Sequence, residues 1–233
     1  QHSGIFISNA GTGYTISNNS IGGSTTGAGG TAWTIAGAFT NRFVGISVSA
    51  ASTATTSIQG NTIANFAVNT TSSATTSNGN FSGIWVSGGN ANIGTTTGNT
   101  IGSGTGTGSI TVTLQTNTGG IANMISYSGS GTADIRNNTI GSINLVGTTT
   151  SIGQGINGIY VSGGTPTIIG NTIGSTGTAN SINSLTAATV TQSLHGIQVT
   201  SGVTTGTSIA ITGNTIANMN QSSIGTSAVI RGI

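Results

Sequence analysis

The stretch GNTIGS occupies residues 98–103 and returns unchanged at residues 170–175. Near copies begin at residues 18, 60, 137 and 213, so the phrase recurs about every 38 residues along the whole chain. A fixed repeat of this length is typical of solenoids and other stacked arrays. With 33% hydrophobic residues placed in a regular register, the chain is predicted to be a folded repeat protein and not a disordered one.

A second phrase, Gly-Ile-x-Val-Ser, precedes the first one in each unit. Its Ile and Val stand two apart, which places both on one face of a strand and the middle residue on the other face. We assign its copies to Gly4–Ser8, Gly45–Ser49, Gly83–Ser87, a degenerate copy at Gly120–Met124, Gly158–Ser162 and Gly196–Thr200, and a seventh copy begins at Gly232.

The GNTIGS phrase itself predicts a sharp bend between two strands. Gly-Asn or Asn-Asn stands between apolar residues, and these residue types tolerate a positive φ. An Ile stands three positions before the Asn that precedes Ser or Thr in every copy except the third, where Thr96 takes its place. If units stack about 4.8 Å apart, equivalent amides can hydrogen-bond along the stack. We therefore predict an asparagine ladder, formed by Asn19, Asn61, Asn99, Asn138, Asn171 and Asn214.

These patterns predict an all-β fold, a parallel β-helix (β-solenoid) with about six turns of about 38 residues. One unit cannot bury its own Ile residues, whereas a parallel stack buries them in continuous columns. Crossovers between parallel strands favour a right-handed course. The rest of each unit, for example residues 176–195, is expected to form an excursion or a third strand. We expect residues 1–233 to be one repeat array and a segment of a longer protein or fibre.

Formal charge is almost absent. The chain has three Arg and one Asp, which is 2% of its residues, against about 25% in ordinary soluble domains. Nucleic-acid binding requires a basic patch, so this class of partner is excluded. Identical charges stacked about 4.8 Å apart would repel one another, which suits their scarcity here. No apolar run reaches the roughly 18 residues of a transmembrane helix.

Candidate catalytic groups are equally scarce. Glycoside hydrolysis by the common route needs two carboxylates, and this chain has only Asp134. An acidic cluster for calcium and a Cys nucleophile are both missing from the sequence. His2 and His195 are about five repeats apart, and Asp134 with Arg136 is expected to form a local surface pair. We predict no catalytic residue, no metal site and no cofactor, so the chain is not expected to be an enzyme.

The pattern GIYVSGGTPTIIGNTIGS at residues 158–175 resembles the right-handed parallel β-helix proteins of the pectate-lyase-like superfamily, in particular the long repetitive surface proteins and adhesins of bacteria. The resemblance covers the whole chain and is specific for the fold, while it says little about activity. It implies an extracellular or cell-surface location and a structural role as a fibre, stalk or adhesin shaft. Self-association end to end or laterally is the partner interaction that it implies.

Two alternative functions rest on outward-facing columns. The middle residues of the second phrase place Phe6, Trp85 and Tyr160 in one column. They belong to alternate turns, so their expected spacing is about 9.6 Å. This column either binds glycans or a cell surface, or is buried by an insertion that folds over it. Ala122 is the fourth member of the column in this assignment. A column of Ser20, Thr62, Thr100, Thr139, Thr172 and Thr215 suggests ice binding as the other alternative.

Overall fold

The structure is a computed structural model, and it describes residues 1–37, 39–115, 119–147, 154–185, 191–200, 202–206, 208–222 and 228–233. The described residues form four parallel β-sheets that run side by side. Each turn of the chain contributes one strand to each sheet in order, so successive turns stack as in a solenoid. The predicted parallel β-helix is therefore confirmed.

The first sheet holds the Gly-Ile-x-Val-Ser phrase. Its strands in spatial order are His2–Ser8 (β1), Phe43–Ser49 (β5), Phe81–Gly88 (β9), Gly120–Tyr127 (β13), Gln154–Val161 (β17), Gln192–Val199 (β21) and Val229–Arg231 (β25). Every neighbouring pair is parallel, and the Ile residues of the phrase lie beside one another from turn to turn.

The strands of the second sheet end just before the GNTIGS phrase, and the phrase itself supplies the bend and the strands of the third sheet. The second sheet contains Thr15–Ser17 (β2), Thr56–Gln59 (β6), Ala91–Ile93 (β10), Thr132–Arg136 (β14), Thr165–Ile169 (β18) and Ala210–Thr212 (β22). The third sheet contains Ser20–Ile21 (β3), Thr62–Ile63 (β7), Thr100–Gly102 (β11), Thr139–Gly141 (β15), Thr172–Ile173 (β19) and Thr215–Ile216 (β23). The backbone bends between them at left-handed residues such as Asn137 and Gly170.

The part of each unit that was predicted as an excursion or a third strand contains a regular fourth strand. The fourth sheet consists of Trp33–Ile35 (β4), Phe66–Thr70 (β8), Ile110–Leu114 (β12), Ile143–Gly147 (β16), Ile182–Leu185 (β20) and Met219–Gln221 (β24). Within residues 176–195, residues 186–190 lie outside the described part of the chain. A single 3-10 turn at Thr26–Ala28 is the one helical piece among the described residues.

The core is a set of apolar columns enclosed by the four sheets. Ile84, Ile101 and Ile135 are fully buried, and full burial of one such side chain contributes about 1.5–3 kcal/mol. The first and third sheets approach closely at the Gly of the second phrase. A Cβ atom added to Gly158 would lie 2.6 Å from Cγ2 of Ile173 and 2.6 Å from the carbonyl oxygen of Gly196. A side chain at position 158 would therefore collide with this Ile and with the next strand.

The assignment of the fourth copy of the second phrase was wrong by four residues. Ile125, and not Ile121, pairs with Ile84 and Ile159. Met124 is buried where the other copies have Gly, and Ile121 is only half-buried. A Gly-Ile dipeptide can be matched by letters alone, whereas strand register depends on which residues face the core.

The irregular third copy of the first phrase is explained by an insertion. Ile93, and not Thr96, occupies the core position, since it pairs with Ile58 and Ile135. Gly94 turns the chain outward with a φ of 79°, and residues 94–97 form a bend before Asn99 restores the register. The core column therefore stays unbroken although the spacing in sequence changes.

Candidate binding surface

The asparagine ladder forms as predicted at the bend between the second and third sheets. The backbone N–H and the side-chain Nδ2 of each ladder residue donate to Oδ1 of the ladder residue one turn later. For Asn61 and Asn99 these distances are 3.0 and 2.9 Å. The same two bonds link Asn19 to Asn61, Asn99 to Asn138, Asn138 to Asn171, and Asn171 to Asn214.

Each interior ladder residue is also bonded to the preceding turn. Nδ2 of Asn99 donates to the carbonyl oxygen of Ile58 at 2.9 Å, and Nδ2 of Asn138 donates to that of Ile93 at 3.0 Å. Asn99 and Asn138 have no exposed surface. Burying a polar group costs free energy unless it is hydrogen-bonded, and here donors and acceptor are all used. The ladder is therefore a structural element and offers no ligand a free group in its interior.

The aromatic column lies on the outer face of the first sheet. Phe6, Trp85 and Tyr160 occupy equivalent positions, separated by one residue of an intervening strand. The intervening residue between Trp85 and Tyr160 is Ser126 and not Ala122, because the fourth copy is displaced by four residues. Ala122 is buried in the core. Ser47, between Phe6 and Trp85, leaves space beside these two rings.

A groove runs along this face beside Phe6 and Trp85. It has a volume of about 650 Å³, and no acidic or basic side chain is among its lining residues, which are Gln1, Ser3, Phe6, Ser8, Ser47, Ser49, Trp85 and Ser87. The side chain of Phe6 is 66% exposed, and Trp85 is half-buried. The indole N–H of Trp85 donates to Oγ of Ser128 at 3.2 Å, which holds one edge of the ring in place. Hydroxyl groups and aromatic rings thus share one neutral surface.

Residues 71–80 form a loop that crosses the outer face of the first sheet. Arg42 holds this loop, since its Nε donates to the carbonyl oxygen of Gly79 at 2.8 Å and Nη2 donates to Oγ1 of Thr76 at 3.0 Å. Burial lowers the pKa of Arg42, which stays a cation at neutral pH. Oγ of Ser77 lies 3.2 Å from Oγ of Ser162. The loop thus covers the outer face beside Asn123 and Ser162, while Trp85 and Tyr160 stay partly exposed, so burial of the aromatic column stays a prediction.

Beyond the loop, a second column of bonded polar side chains was missed in the sequence. Nδ2 of Asn157 donates to Oδ1 of Asn123 at 2.7 Å, and Nδ1 of His195 lies 2.9 Å from Oδ1 of Asn157. Nη1 of Arg231 lies 3.2 Å from Nε2 of His195. Arg can only donate, so Nε2 accepts and Nδ1–H donates, which requires a neutral His195. Burial and the Arg231 charge both lower the pKa of His195, in agreement with this state.

This outer column had a weak signal, a polar residue directly before Gly-Ile at Asn157 and His195. The displaced fourth copy concealed Asn123. A further amide column on the fourth sheet was missed altogether: Nδ2 of Asn183 donates to Oδ1 of Asn144 at 2.9 Å, and Nδ2 of Asn220 donates to Oδ1 of Asn183 at 3.3 Å. Amide stacking is therefore used on three sides of the solenoid.

The candidate chemical groups are dispersed. Asp134 and Arg136 form the predicted local pair, with Nε 2.5 Å from Oδ1 and both side chains about one-third exposed. His2 lies on the first strand of the first sheet and His195 on the sixth, so they do not meet. In the described part of the chain, no group of three or more His, Cys, Asp or Glu is placed to hold a metal ion. No helix within the described ranges has the length and apolar character needed to cross a membrane.

In comparisons with known proteins, no family model matches the chain, and no curated protein or solved structure is significantly similar to it.

Proposed function

We propose that this chain is a non-catalytic structural β-solenoid that serves outside the cell or on its surface as a fibre, stalk or adhesin shaft. The observation that carries the proposal is the asparagine ladder, which runs from Asn19 to Asn214 without a missing rung. A shaft must resist bending and separation of its turns, and every ladder bond joins two different turns. Stability that accumulates turn by turn suits a load-bearing rod.

The surface composition supports the same role. Within the described residues the single ion pair is Asp134–Arg136, and the outer faces are otherwise dominated by Thr, Ser, Asn and Gly. Low net charge removes most of the repulsion between molecules that normally opposes association. Lateral bundling of rods is therefore physically favoured, and the resemblance to repetitive bacterial surface proteins supports a location outside the cell.

Electron microscopy of the native material, combined with surface labelling of intact source cells, tests this proposal. We expect rods or filaments with a repeat of about 4.8 Å along the axis, and labelling of the protein without cell lysis. Compact particles that become labelled only after lysis would refute the role and the location together.

A second candidate function is glycan binding at the groove beside Phe6 and Trp85. The favouring observation is its combination of an exposed ring, a held indole and neutral hydroxyl groups. Aromatic faces pack against the apolar faces of sugars, while hydroxyl groups exchange hydrogen bonds with the sugar hydroxyls. A neutral glycan suits this lining better than a charged one, because no ionic side chain lines the groove.

Glycan-array binding of Phe6→Ala and Trp85→Ala tests the second candidate. We expect binding to fall at least about tenfold in each variant, with an unchanged melting temperature for Phe6→Ala because this ring is mostly exposed. Phe39→Ala is the matched control, since Phe39 is an exposed ring (71%) that does not line the groove. Equal binding by all three variants and the unaltered chain would argue against the groove as a glycan site.

Ice binding stays a prediction. The column lies in register along the third sheet, and its strands are only two or three residues long, so each turn presents one hydroxyl residue, Ser20 in the first turn and Thr in the others. Measured thermal hysteresis would be needed to favour this role over the other two.

A further inference from the structure

Arg42 is a cation without a counter-ion. The chain contains a single carboxylate side chain, that of Asp134, and this group is paired with Arg136. The guanidinium of Arg42 is held by uncharged groups, which are the carbonyl oxygen of Gly79, Oγ1 of Thr76 and Oδ1 of Asn78. Burial lowers the pKa of Arg42, since a partly buried charge is unfavourable without an opposite charge nearby. A negative charge beside Arg42 would therefore stabilise the loop at residues 71–80.

One of the groups bonded to Arg42 has a chemical route to a carboxylate. Asn78 is followed by Gly79, and in an Asn-Gly dipeptide the peptide nitrogen can attack the side-chain amide and close a five-membered ring. Glycine has no side chain to hinder that nitrogen. The attack is intramolecular, so positioning governs its rate. At rest the N–H of Gly79 donates to the carbonyl oxygen of Thr76 at 2.8 Å, and ring closure begins with the opening of this one turn bond.

Two donors already contact the oxygen on which negative charge would develop. Nη2 of Arg42 donates to Oδ1 of Asn78, and Oγ1 of Thr76 donates to the same oxygen at 2.9 Å. Because Arg can only donate, the amide must present its oxygen to Arg42. Nδ2, which would leave as ammonia, is bonded instead to Oε1 of Gln1 at 2.9 Å. Donors aimed at a developing oxyanion accelerate acyl transfer, so this arrangement favours attack on the side-chain carbon of Asn78.

The chain contains one other Asn-Gly dipeptide, which lies in a different setting. Asn157 and Gly158 belong to β17, and this strand pairs with a parallel strand on each side. Oδ1 of Asn157 lies 2.9 Å from Nδ1 of the neutral His195 and so faces an uncharged ring. Ring closure at this position would have to break the pairing of an inner strand, which opens less readily than a loop. Two dipeptides of the same sequence are thus expected to differ in reactivity.

We propose that Asn78 is a self-modification site, at which the side-chain amide becomes the carboxylate that Arg42 lacks. The nitrogen of Gly79 bonds to Cγ of Asn78, the Cγ–Nδ2 bond breaks, and ammonia leaves with the proton of the Gly79 N–H. Water then adds to Cγ of the cyclic imide, and the bond from Cγ to the Gly79 nitrogen breaks. One proton of the water returns to this nitrogen and the other is released. Both donors polarise the Cγ carbonyl, so the ring opens to aspartate and not to isoaspartate.

Peptide mapping by mass spectrometry of the full 233-residue chain, aged in heavy-oxygen water at neutral pH, tests the proposal. Each conversion incorporates one heavy oxygen, and digestion with pepsin at acid pH limits conversion during the analysis. We expect Asn78 to convert at least as fast in the folded chain as in urea. Asn157 should convert at least about tenfold more slowly in the folded chain than in urea, because its strand must open first.

The role of the two donors is tested by Thr76→Val, which removes one of them and keeps the shape of the side chain. Conversion of Asn78 should slow at least about tenfold in this variant. Thr75→Val is the matched control, since Thr75 is an exposed neighbour that is not among the bonded partners of Asn78. The inference is overturned if folding slows Asn78 as much as Asn157, if isoaspartate is the main product, or if Thr76→Val converts like its control.

The effect of the new charge has its own measurement. Asn78→Asp copies the product, and at neutral pH its melting temperature should exceed that of the freshly prepared, unconverted chain by about 2–4 °C. In an Arg42→Met background the same change should give no rise, because the cation that pairs with the carboxylate is gone. An unchanged or lower melting temperature for Asn78→Asp in the presence of Arg42 would overturn the assignment of this carboxylate as the counter-ion.

Discussion

An asparagine at the bend is satisfied only when a turn lies on each side of it. In Asn99, Oδ1 accepts two bonds from Asn61, while Nδ2 donates to Asn138 and to the carbonyl oxygen of Ile58. Aspartate would lack the donor, and identical charges would repel along the column. Serine is too short to reach both turns. The residue type thus follows from the hydrogen-bond geometry of a stack.

Replacing a buried rung is therefore expected to be costly. Asn99→Ala removes the acceptor of the backbone N–H of Asn61 and one bond each from Nδ2 of Asn61 and the carbonyl oxygen of Ile58, and we expect the free energy of unfolding to fall by roughly 3 kcal/mol. Denaturant unfolding measures this loss. Asn92→Ala is the control in the same turn, because Asn92 is half-buried and makes no side-chain bond within the described residues. Similar losses for both variants would contradict the ladder as a source of stability.

The Gly of the Gly-Ile-x-Val-Ser phrase provides a second residue-scale prediction. A Cβ atom at position 158 would collide with Ile173 and with the backbone of the next turn, so Gly158→Ala should destabilise the fold by about 1–3 kcal/mol. Gly177→Ala should be nearly neutral, because a Cβ atom there would meet nothing within 4 Å. Thermal unfolding of the two variants compares the effects. A neutral Gly158→Ala would mean that the first and third sheets can move apart without loss.

At the scale of elements, most strands are too short to be stable alone. The strands of the third sheet have two or three residues, and left-handed residues at both corners separate them from their neighbours. The turn sequence supplies these corners, for example Asn137 before the third sheet and Ser142 after it. These short strands are stable because each pairs with the equivalent strands of the adjacent turns. Pattern reading gave two strand signals in each unit and left the remainder as an excursion or a third strand. The strand in that remainder is hard to recognise because its apolar residue varies from Trp33 to Phe66 to Ile110.

β25 is the element whose attachment should depend on pH. His195 is contacted by Arg231 from β25 and by Asn157 from β17, and Tyr160 and Thr75 line the same small cavity. The pKa of His195 is lowered by burial and by Arg231, so the unfolded chain takes up the proton first as pH falls. The contribution of neutral His195 to the stability of the fold is therefore complete above the ordinary pKa of 6.5 and declines as the pH falls below it.

Amide hydrogen exchange of the β21–β25 pair measures this effect. At pH 5 we expect the amides of this strand pair to be less protected in the unaltered chain than in His195→Asn. The variant continues the amide column without a titrating group. At pH 8 the variant and the unaltered chain should differ little. Comparison at equal pH removes the intrinsic pH dependence of exchange. Equal protection ratios at the two pH values would show that His195 does not control β25.

At the scale of the whole molecule, stability arises from apolar columns and amide bonds and hardly at all from charge. One ion pair joins described residues, and it is partly exposed, so it contributes at most about 1 kcal/mol. We expect the free energy of unfolding to change by less than about 1 kcal/mol between roughly 0.01 and 0.15 M salt, over which ionic interactions are increasingly screened. Denaturant unfolding at both salt concentrations measures it. A larger dependence would reveal an electrostatic contribution outside the described contacts.

The sequence alone determined the stacked parallel fold, its six turns and the asparagine ladder, because each depends on a spacing that returns in every unit. It also placed Phe6, Trp85 and Tyr160 in one outer column. Only the tertiary structure decided the register of the fourth copy, the fourth sheet, the loop over the aromatic face and the bonded column from Asn123 to Arg231. These features depend on contacts between turns, where an inward-facing side chain or a covering loop selects the register, and a local pattern of letters does not contain that information.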